Sequence, residues 1–165
     1  MPKTRPLLAA LSAACVLTLA PARAETVSSP AEVARMRDLA QDLARSYLRL
    51  WSDSDAGALA DVGVVYADRI AFYGRFLTQR ELAAEKRRFL RRWPVRHYAI
   101  RPGTLKADCD AVLRVCQVDS IIDWNVADPA RHRSSRGASR FSLGIDFAGP
   151  QPVVRGENGR VLARR

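Results

Sequence analysis

The periodicity of apolar residues changes once along this 165-residue chain, and that change limits the possible folds more than any other feature. Between residues 30 and 93 apolar residues recur every three or four positions, as on the buried face of a helix. From Val95 onward they alternate with polar residues, as in strands that bury one face. The 48% hydrophobic and 27% charged composition is that of a globular domain. This order predicts an α+β fold, with three N-terminal helices packed in a curved antiparallel sheet.

Capping signals mark the ends of the predicted helices. The segment Ser29-Pro-Ala-Glu32 has the pattern of a capping box with proline at the first helical position, and it opens a helix of about six turns. Ser52-Asp-Ser-Asp55 supplies the cap of a second, shorter helix that continues through Tyr66. Thr78-Gln-Arg-Glu81 is another capping box, and the helix that it opens ends before Pro94.

The strands are predicted from alternation and from turn residues. Arg69–Gly74 has strand character between the second and third helices. Pro102-Gly103 interrupts a longer strand and predicts a bulge or a bend. The polar segment 128–137 predicts a loop. Further strands are predicted at about 95–108, 114–125, 138–148, 152–155 and 160–163.

The first 24 residues have the pattern of a secretory signal peptide. A positively charged start precedes residues 7–20, which are uncharged and mostly apolar. Ala22 and Ala24 then occupy the two small positions that a signal peptidase reads. We therefore expect cleavage after Ala24, a mature domain at 25–165, and a periplasmic or secreted location.

Two other interpretations of this segment are less favoured. The 14 residues of the apolar run would extend only about 21 Å as a helix, less than the roughly 30 Å of a membrane core, so a membrane anchor is disfavoured. Ser12–Cys15 looks a little like a lipobox, but the expected leucine is displaced to Leu11. No later run is long enough to span a membrane, and we expect no transmembrane segment in the mature chain.

The cysteines predict a disulfide. Removal of the signal peptide would take away Cys15 and leave Cys109 and Cys116, an even number in an exported chain. The two flank a turn around Asp110-Ala111, so their sulfurs could face each other across a hairpin. Free thiols or a metal pair are the alternative, but no His or third Cys lies near enough to complete a zinc site.

Charge is concentrated in one basic segment of a chain whose formal net charge is +10. On the third helix, the arginines at 87, 88, 91 and 92 would form a stripe opposite Phe89. A solvated helix face is the simpler interpretation, and the alternative is a surface for an acidic partner or an envelope anion. Because the chain is predicted to be exported, we expect no nucleic-acid partner. The arginines of this stripe are Arg87, Arg88, Arg91 and Arg92.

The order of predicted elements resembles the NTF2-like superfamily, which includes nuclear transport factor 2, ketosteroid isomerase and SnoaL-type proteins. Tyr47-Leu-Arg-Leu-Trp51, Phe72-Tyr-Gly74 and the segment 86–94 also resemble uncharacterised exported bacterial members. The resemblance covers about residues 30–163 and implies a cone in which the sheet wraps around the long helix and leaves a cavity. Its motifs specify the fold better than an activity, because this fold carries many unrelated functions.

The resemblance implies that aromatic residues line this cavity and contact a small hydrophobic or amphipathic ligand, although an ordinary core would use the same residues. The preferred function is therefore non-catalytic, either binding of such a ligand or binding of a partner through the arginine stripe. A homodimer is a further expectation from the resemblance. The aromatic candidates are Tyr47, Trp51, Tyr66, Phe72, Trp93, Tyr98 and Trp124.

The sequence does not reveal a catalytic constellation. Isomerases of the family use a cavity Asp as base, but alternation places Asp119 and Asp123 on the face opposite the apolar residues of their strand. His97 and His132 have no acidic neighbour at helical spacing, so we expect neither a metal site nor a cofactor. The alternative function is a small-molecule isomerase, dehydratase or hydrolase that uses the same cavity. A tyrosine-to-carboxylate hydrogen bond deep in the cavity would favour the enzyme, and a cavity filled by Trp and Phe would favour binding.

Overall fold

The computed structural model describes residues 29–53 and 59–164, and the predicted signal peptide at 1–24 lies outside them. The helices are α1 (Pro30–Asp53), α2 (Val62–Val65) and α3 (Gln79–Arg92), with a 3-10 turn at Pro129–Arg131. The strands are β1 (Tyr66–Phe72), β2 (Arg75–Thr78), β3 (Val95–Ile100), β4 (Lys106–Asp110), β5 (Val115–Asp128), β6 (Arg133–Asp146) and β7 (Val153–Arg164).

Local capping places the two long helices where the sequence predicts them. The Ser29 hydroxyl accepts a hydrogen bond from the Glu32 backbone N–H at 3.1 Å, just before α1 begins. Thr78 and Glu81 form both halves of a capping box at the start of α3, which ends two residues before Pro94. The second helix ends at Val65, one residue earlier than predicted, because Tyr66 begins β1. Part of its expected cap, residues 54 and 55, lies outside the described residues.

The sheet is mixed, which corrects the expectation of an antiparallel one. Its strand order is β2-β1-β7-β6-β5-β3, and β4 also pairs with β5. Every pairing is antiparallel except that of β1 with β7, which is parallel. No hairpin joins β1 to β7, since the rest of the sheet lies between them in the chain. A turn therefore does not set their relative direction.

Two predicted segments differ from the strands in the structure. The strand predicted at 95–108 is divided into β3 and β4 around Gly103, whose φ is +74°, and both parts pair with β5. The segment 128–137, predicted as a loop, is mostly strand, because β6 begins at Arg133 opposite Asp128. Alternation gives no signal there, since the first residues of β6 are exposed on both faces.

The last predicted strand pair is also wrong. Residues 152–155 and 160–163 belong to one strand, β7, which pairs with β1 on one side and with β6 on the other. The intervening residues Arg-Gly-Glu-Asn-Gly have the composition of a turn, which hides the continuity of the strand.

The core lies between α1 and the inner face of the sheet. α1 contacts β3, β4 and β5, and the predicted alternation on β5 and β6 is confirmed by the burial of Val118, Phe141 and Leu143. Cys109 and Cys116 face each other on β4 and β5 and form the predicted disulfide. Within the described ranges, no helix has the length and apolar character needed to cross a membrane.

Candidate functional site

A cavity of about 320 Å³ lies between α1, α3 and the inner face of the sheet. Most of its wall is aromatic or aliphatic, and the charged side chains of Lys86 and Glu157 meet inside it. The lining residues come from helices α1 and α3, the end of β1, the β1–β2 turn and strands β3, β5, β6 and β7. They are Tyr47, Leu48, Trp51, Phe72, Tyr73, Glu85, Lys86, Phe89, Tyr98, Ile122, Phe141 and Glu157.

Lys86 and Glu157 form a buried ion pair. Lys86 Nζ donates to Glu157 Oε2 at 2.7 Å, and the two side chains are only 10% and 7% exposed. Lys86 lies on α3 between Leu82 and Leu90, so helical spacing directs its side chain to the buried face. Glu157 pairs in register with the buried Leu143 of β6, so the pleat directs it to the same interior.

Aromatic rings surround the ammonium group of Lys86. Its Nζ lies 4.5 Å from the centre of the Trp51 ring, 5.3 Å from that of Phe72 and 5.5 Å from that of Tyr47. It also donates a hydrogen bond to the Tyr47 hydroxyl at 3.0 Å. Cation–π attraction and the ion pair together offset part of the cost of removing this charge from water.

The two carboxylate oxygens of Glu157 have different surroundings. Oε2 accepts hydrogen bonds from Lys86 and from the Tyr47 hydroxyl, and the Tyr66 hydroxyl lies 3.4 Å from it. The Tyr47 and Tyr66 hydroxyls are themselves 2.6 Å apart. Oε1 has one longer contact, 3.5 Å, with the Tyr73 hydroxyl. Oε2 is therefore held by the protein, whereas Oε1 is the oxygen more available to a ligand.

The tyrosines of this network are held in the protonated form. Burial, followed by the negative charge of Glu157, raises the pKa of Tyr47 and of Tyr66 well above the usual value. The same two causes, in the same order, raise the pKa of Tyr73. Burial is also the main reason that the pKa of Tyr98 is raised. These phenols are therefore hydrogen-bond donors at neutral pH.

Tyr73 reaches the cavity from a strained turn. Phe72 and Arg75 pair at the ends of β1 and β2, and the two residues between them both have positive φ, 47° for Tyr73 and 80° for Gly74. This is the backbone of a type I′ hairpin turn, which accepts glycine easily but rarely an aromatic residue. The Tyr73 ring packs edge-on against Phe72 with 4.8 Å between ring centres.

Comparisons with known proteins point to the fold. No protein-family model matches the chain, and no curated protein matches its sequence. Its structure is similar to that of the Kfla4162 protein from Kribbella flavida, with a TM-score of 0.67 and 11% identity over 80% of this chain and 95% of that one. It is also similar to hexachlorocyclohexane dehydrochlorinase LinA-type3 from Novosphingobium barchaimii LL02, with a TM-score of 0.66 and 15% identity over 83% and 93% of the two chains.

A third similar structure is a putative scytalone dehydratase from Novosphingobium aromaticivorans, with a TM-score of 0.61 and 6% identity over 76% of this chain and 83% of that one. The fold is NTF2-like. At these sequence identities the comparisons establish the fold of this chain but not its activity, which is inferred from the cavity itself.

Four of the seven aromatic candidates line the NTF2-like cavity: Tyr47, Trp51, Phe72 and Tyr98. Tyr66 lies behind the wall, where its hydroxyl contacts Tyr47 and Glu157. The other two, Trp93 and Trp124, line an adjoining groove that shares Tyr73, Phe89, Tyr98, Ile122 and Phe141 with the cavity.

The arginine stripe of α3 is exposed, as its spacing predicts. Arg87, Arg88, Arg91 and Arg92 all lie on the surface. Arg88 pairs with Glu85 at 3.2 Å, and the Arg92 guanidinium lies 5.6 Å from the centre of the Trp93 ring. Lys86, the first residue of the same basic segment, instead faces the NTF2-like cavity. The exposed stripe and the buried lysine are therefore separate features.

The two aspartates and two histidines that are rejected on sequence grounds as catalytic or metal-binding residues lie outside the NTF2-like cavity. Asp119 and Asp123 are exposed, as alternation predicts, and Asp123 pairs with Arg101 at 2.6 Å. His97 and His132 are exposed as well. In the part of the chain that the structure describes, His, Cys, Asp and Glu form no group of three or more that could hold a metal ion.

Two features of the site are not predicted from the sequence: the presence of Glu157 and the position of Lys86 inside the cavity. Glu157 lies in a segment with turn composition, so nothing local marks it as buried. Lys86 carries a usable signal, because it stands at the centre of a Leu82–Leu90 stripe with four-residue spacing. The predicted discriminating feature is present: the Tyr47 hydroxyl donates a hydrogen bond to the Glu157 carboxylate inside the NTF2-like cavity.

Proposed function

We propose that this protein is an enzyme that transfers protons on a small, largely apolar molecule, as an isomerase or a dehydratase does. The observation that carries the proposal is the unequal engagement of Glu157. Oε2 is held by Lys86 and Tyr47, while Oε1 has a single contact of 3.5 Å to a tyrosine hydroxyl. A fixed carboxylate with one available oxygen, inside an apolar cavity, is suited to act as a general base.

The groups around Glu157 would stabilise the negative charge that forms when a substrate loses a proton. Lys86 supplies a positive charge, and Tyr73 supplies a phenol whose raised pKa keeps it protonated. Donors that are already oriented stabilise such a charge more strongly in a dry cavity than in water. Two proteins of similar structure are named for eliminations, a dehydrochlorinase and a putative dehydratase, which agrees with this class of chemistry.

Solvent exchange of an enolisable ketone tests the proposal without knowledge of the natural substrate. The probe is 2-tetralone in deuterated buffer, and the readout is deuterium at the carbon next to the carbonyl, followed by NMR. We expect the protein to accelerate exchange and Glu157→Gln to reduce that acceleration by about 100-fold or more, the usual contribution of a general base.

Asp119→Asn is the matched control, because Asp119 is an exposed carboxylate on the outer face of the sheet. We expect this variant to exchange 2-tetralone as fast as the unaltered protein. Exchange that survives Glu157→Gln, or that Asp119→Asn removes equally, would contradict the role of Glu157.

Ligand binding without catalysis is the second candidate function. It is favoured by the direct neutralisation of Glu157 by Lys86, which leaves the apolar wall as the dominant feature of the cavity. The same experiment separates the two functions. Saturable binding of 2-tetralone, measured by tryptophan fluorescence, without any acceleration of exchange would support a binding protein.

Export to the periplasm or the medium is also part of the proposal. The signal-peptide pattern of residues 1–24 supports it, and the Cys109–Cys116 disulfide is typical of an oxidising compartment. N-terminal sequencing of protein recovered from the periplasm should begin at Glu25. An uncleaved N-terminus in the cytoplasm would contradict this location.

A further inference from the structure

The cation in the cavity is a lysine in a chain that otherwise uses arginine. Of the 27 basic residues only Lys3, Lys86 and Lys106 are lysines, and the rest are arginines. Arginine would pair with a carboxylate through two parallel hydrogen bonds, but its guanidinium does not lose a proton in proteins. A lysine at this position keeps one property that an arginine lacks. Its amine can become neutral and nucleophilic.

We infer that Lys86 forms a Schiff base with the carbonyl group of an aldehyde or ketone bound in the cavity. The Lys86 side chain lines this space, and its Nζ lies 2.7 Å from Glu157 Oε2. The Trp51, Phe72 and Tyr47 rings around the nitrogen exclude water, which would otherwise reverse the reaction. The inference deepens the proposed function and rests on it for the step that follows the Schiff base, which is removal of a proton from the bound molecule.

The step balances with groups that the cavity already holds. The Lys86 ammonium gives a proton to Glu157, and the nitrogen lone pair then adds to the carbonyl carbon. A carbon–nitrogen bond forms as the carbonyl π bond breaks, and the oxygen takes up two protons, one from nitrogen and one from Glu157. The carbon–oxygen σ bond then breaks to release water, while the nitrogen lone pair forms the carbon–nitrogen π bond. An ammonium and a carbonyl compound become an iminium and water, with no change in charge and no oxidant or reductant.

The iminium would explain why Lys86 and Glu157 are neighbours. A positive nitrogen bonded to the former carbonyl carbon withdraws electrons and makes a proton on the adjacent carbon more acidic. Glu157 Oε1, the less engaged oxygen, would take that proton. The substrate class is therefore an aldehyde or ketone with an apolar body that fits about 320 Å³.

Reductive trapping tests the covalent step separately from proton transfer. The probe is 2-naphthaldehyde, which has no enolisable proton, with sodium cyanoborohydride as the reductant of the iminium. We expect a naphthylmethyl group on Lys86, found by peptide mass mapping and formed at least about tenfold faster than on exposed Lys106, because the cavity orients the aldehyde. The matched alcohol, 2-naphthylmethanol, should slow labelling of Lys86 and leave Lys106 unaffected.

Labelling of Lys86 no faster than that of Lys106 or of the N-terminal amine would overturn the inference.

Lys86→Arg gives a second readout, because it keeps the positive charge opposite Glu157 but removes the nucleophile. We expect Lys86→Arg to abolish exchange of 2-tetralone while its far-ultraviolet circular dichroism stays native, and Lys106→Arg to leave exchange unchanged. Full exchange in Lys86→Arg would refute the Schiff base and leave Glu157 as the base, whereas trapping without exchange would refute the proposed function alone.

Discussion

At the scale of single residues, the Lys86–Glu157 pair adds little net stability, although each charge depends strongly on the other. Two charges removed from water recover only part of their hydration energy from each other, even with a contact of 2.7 Å between Nζ and Oε2. Loss of one partner is much more costly than loss of both, because the remaining charge stays buried without compensation. The pair should therefore show strong energetic coupling.

Substitution of the lysine tests this coupling. We expect Lys86→Met to lower the free energy of unfolding by about 3–5 kcal/mol, since it leaves the Glu157 carboxylate buried without its cation. Adding Glu157→Gln should restore most of the loss, because the amide carries no charge. Urea unfolding monitored by circular dichroism measures the unaltered protein, the two single variants and the double variant, and Lys106→Met is the control for loss of an exposed lysine. Additive effects of the two substitutions would show that the charges do not interact.

At the scale of the elements, the β1–β2 turn positions the Tyr73 hydroxyl near Glu157 at a conformational cost. A left-handed backbone costs most residues with a Cβ about 1–2 kcal/mol, and Asn tolerates it better than most. Tyr73→Asn and Tyr73→Ala both remove the ring, so the difference between them isolates the backbone. We expect Tyr73→Asn to be more stable than Tyr73→Ala by about 1 kcal/mol in urea unfolding. Equal stability would mean that the turn changes type in the variants.

Elements whose signals are local could be predicted from the sequence. The long helices begin at capping residues, such as Ser29 and Thr78, and the inner faces of β5 and β6 follow simple alternation. The disulfide follows from two cysteines on either side of a turn. The parallel pairing of β1 with β7 depends instead on where the chain returns after more than 80 residues, and no nearby residue specifies it.

The candidate site could be predicted only in part for the same reason. The aromatic wall follows from the resemblance and from helical spacing, and four of its proposed members line the cavity. Glu157 reaches Lys86 across 71 positions of the chain. Its own neighbours, Gly156 and Asn158, indicate a turn rather than a buried strand. A charged residue in such a segment becomes a site residue only when the sheet is assembled around it.

At the scale of the whole molecule, all four tyrosines of the chain belong to the cavity. Tyr47, Tyr73 and Tyr98 line it, and Tyr66 lies directly behind it. Burial and the charge of Glu157 raise the pKa of each of them above the usual value of about 10. Tyrosinate absorbance therefore reports on this cavity alone. The stability of the protein at alkaline pH also depends on this cavity.

The sign of the pH dependence follows from these raised values. Above about pH 10 the unfolded chain loses its tyrosine protons while the folded protein keeps them, so stability falls as pH rises, by up to about 1.4 kcal/mol per pH unit for each tyrosine. We expect the native protein to show little tyrosinate absorbance near pH 10, and then a steep rise that coincides with loss of circular dichroism. In concentrated urea the same residues should titrate with a midpoint near pH 10. Gradual ionisation near pH 10 in a protein that remains folded would instead mean that water reaches the phenols, and the cavity would then be too wet for the proton transfer proposed for Glu157.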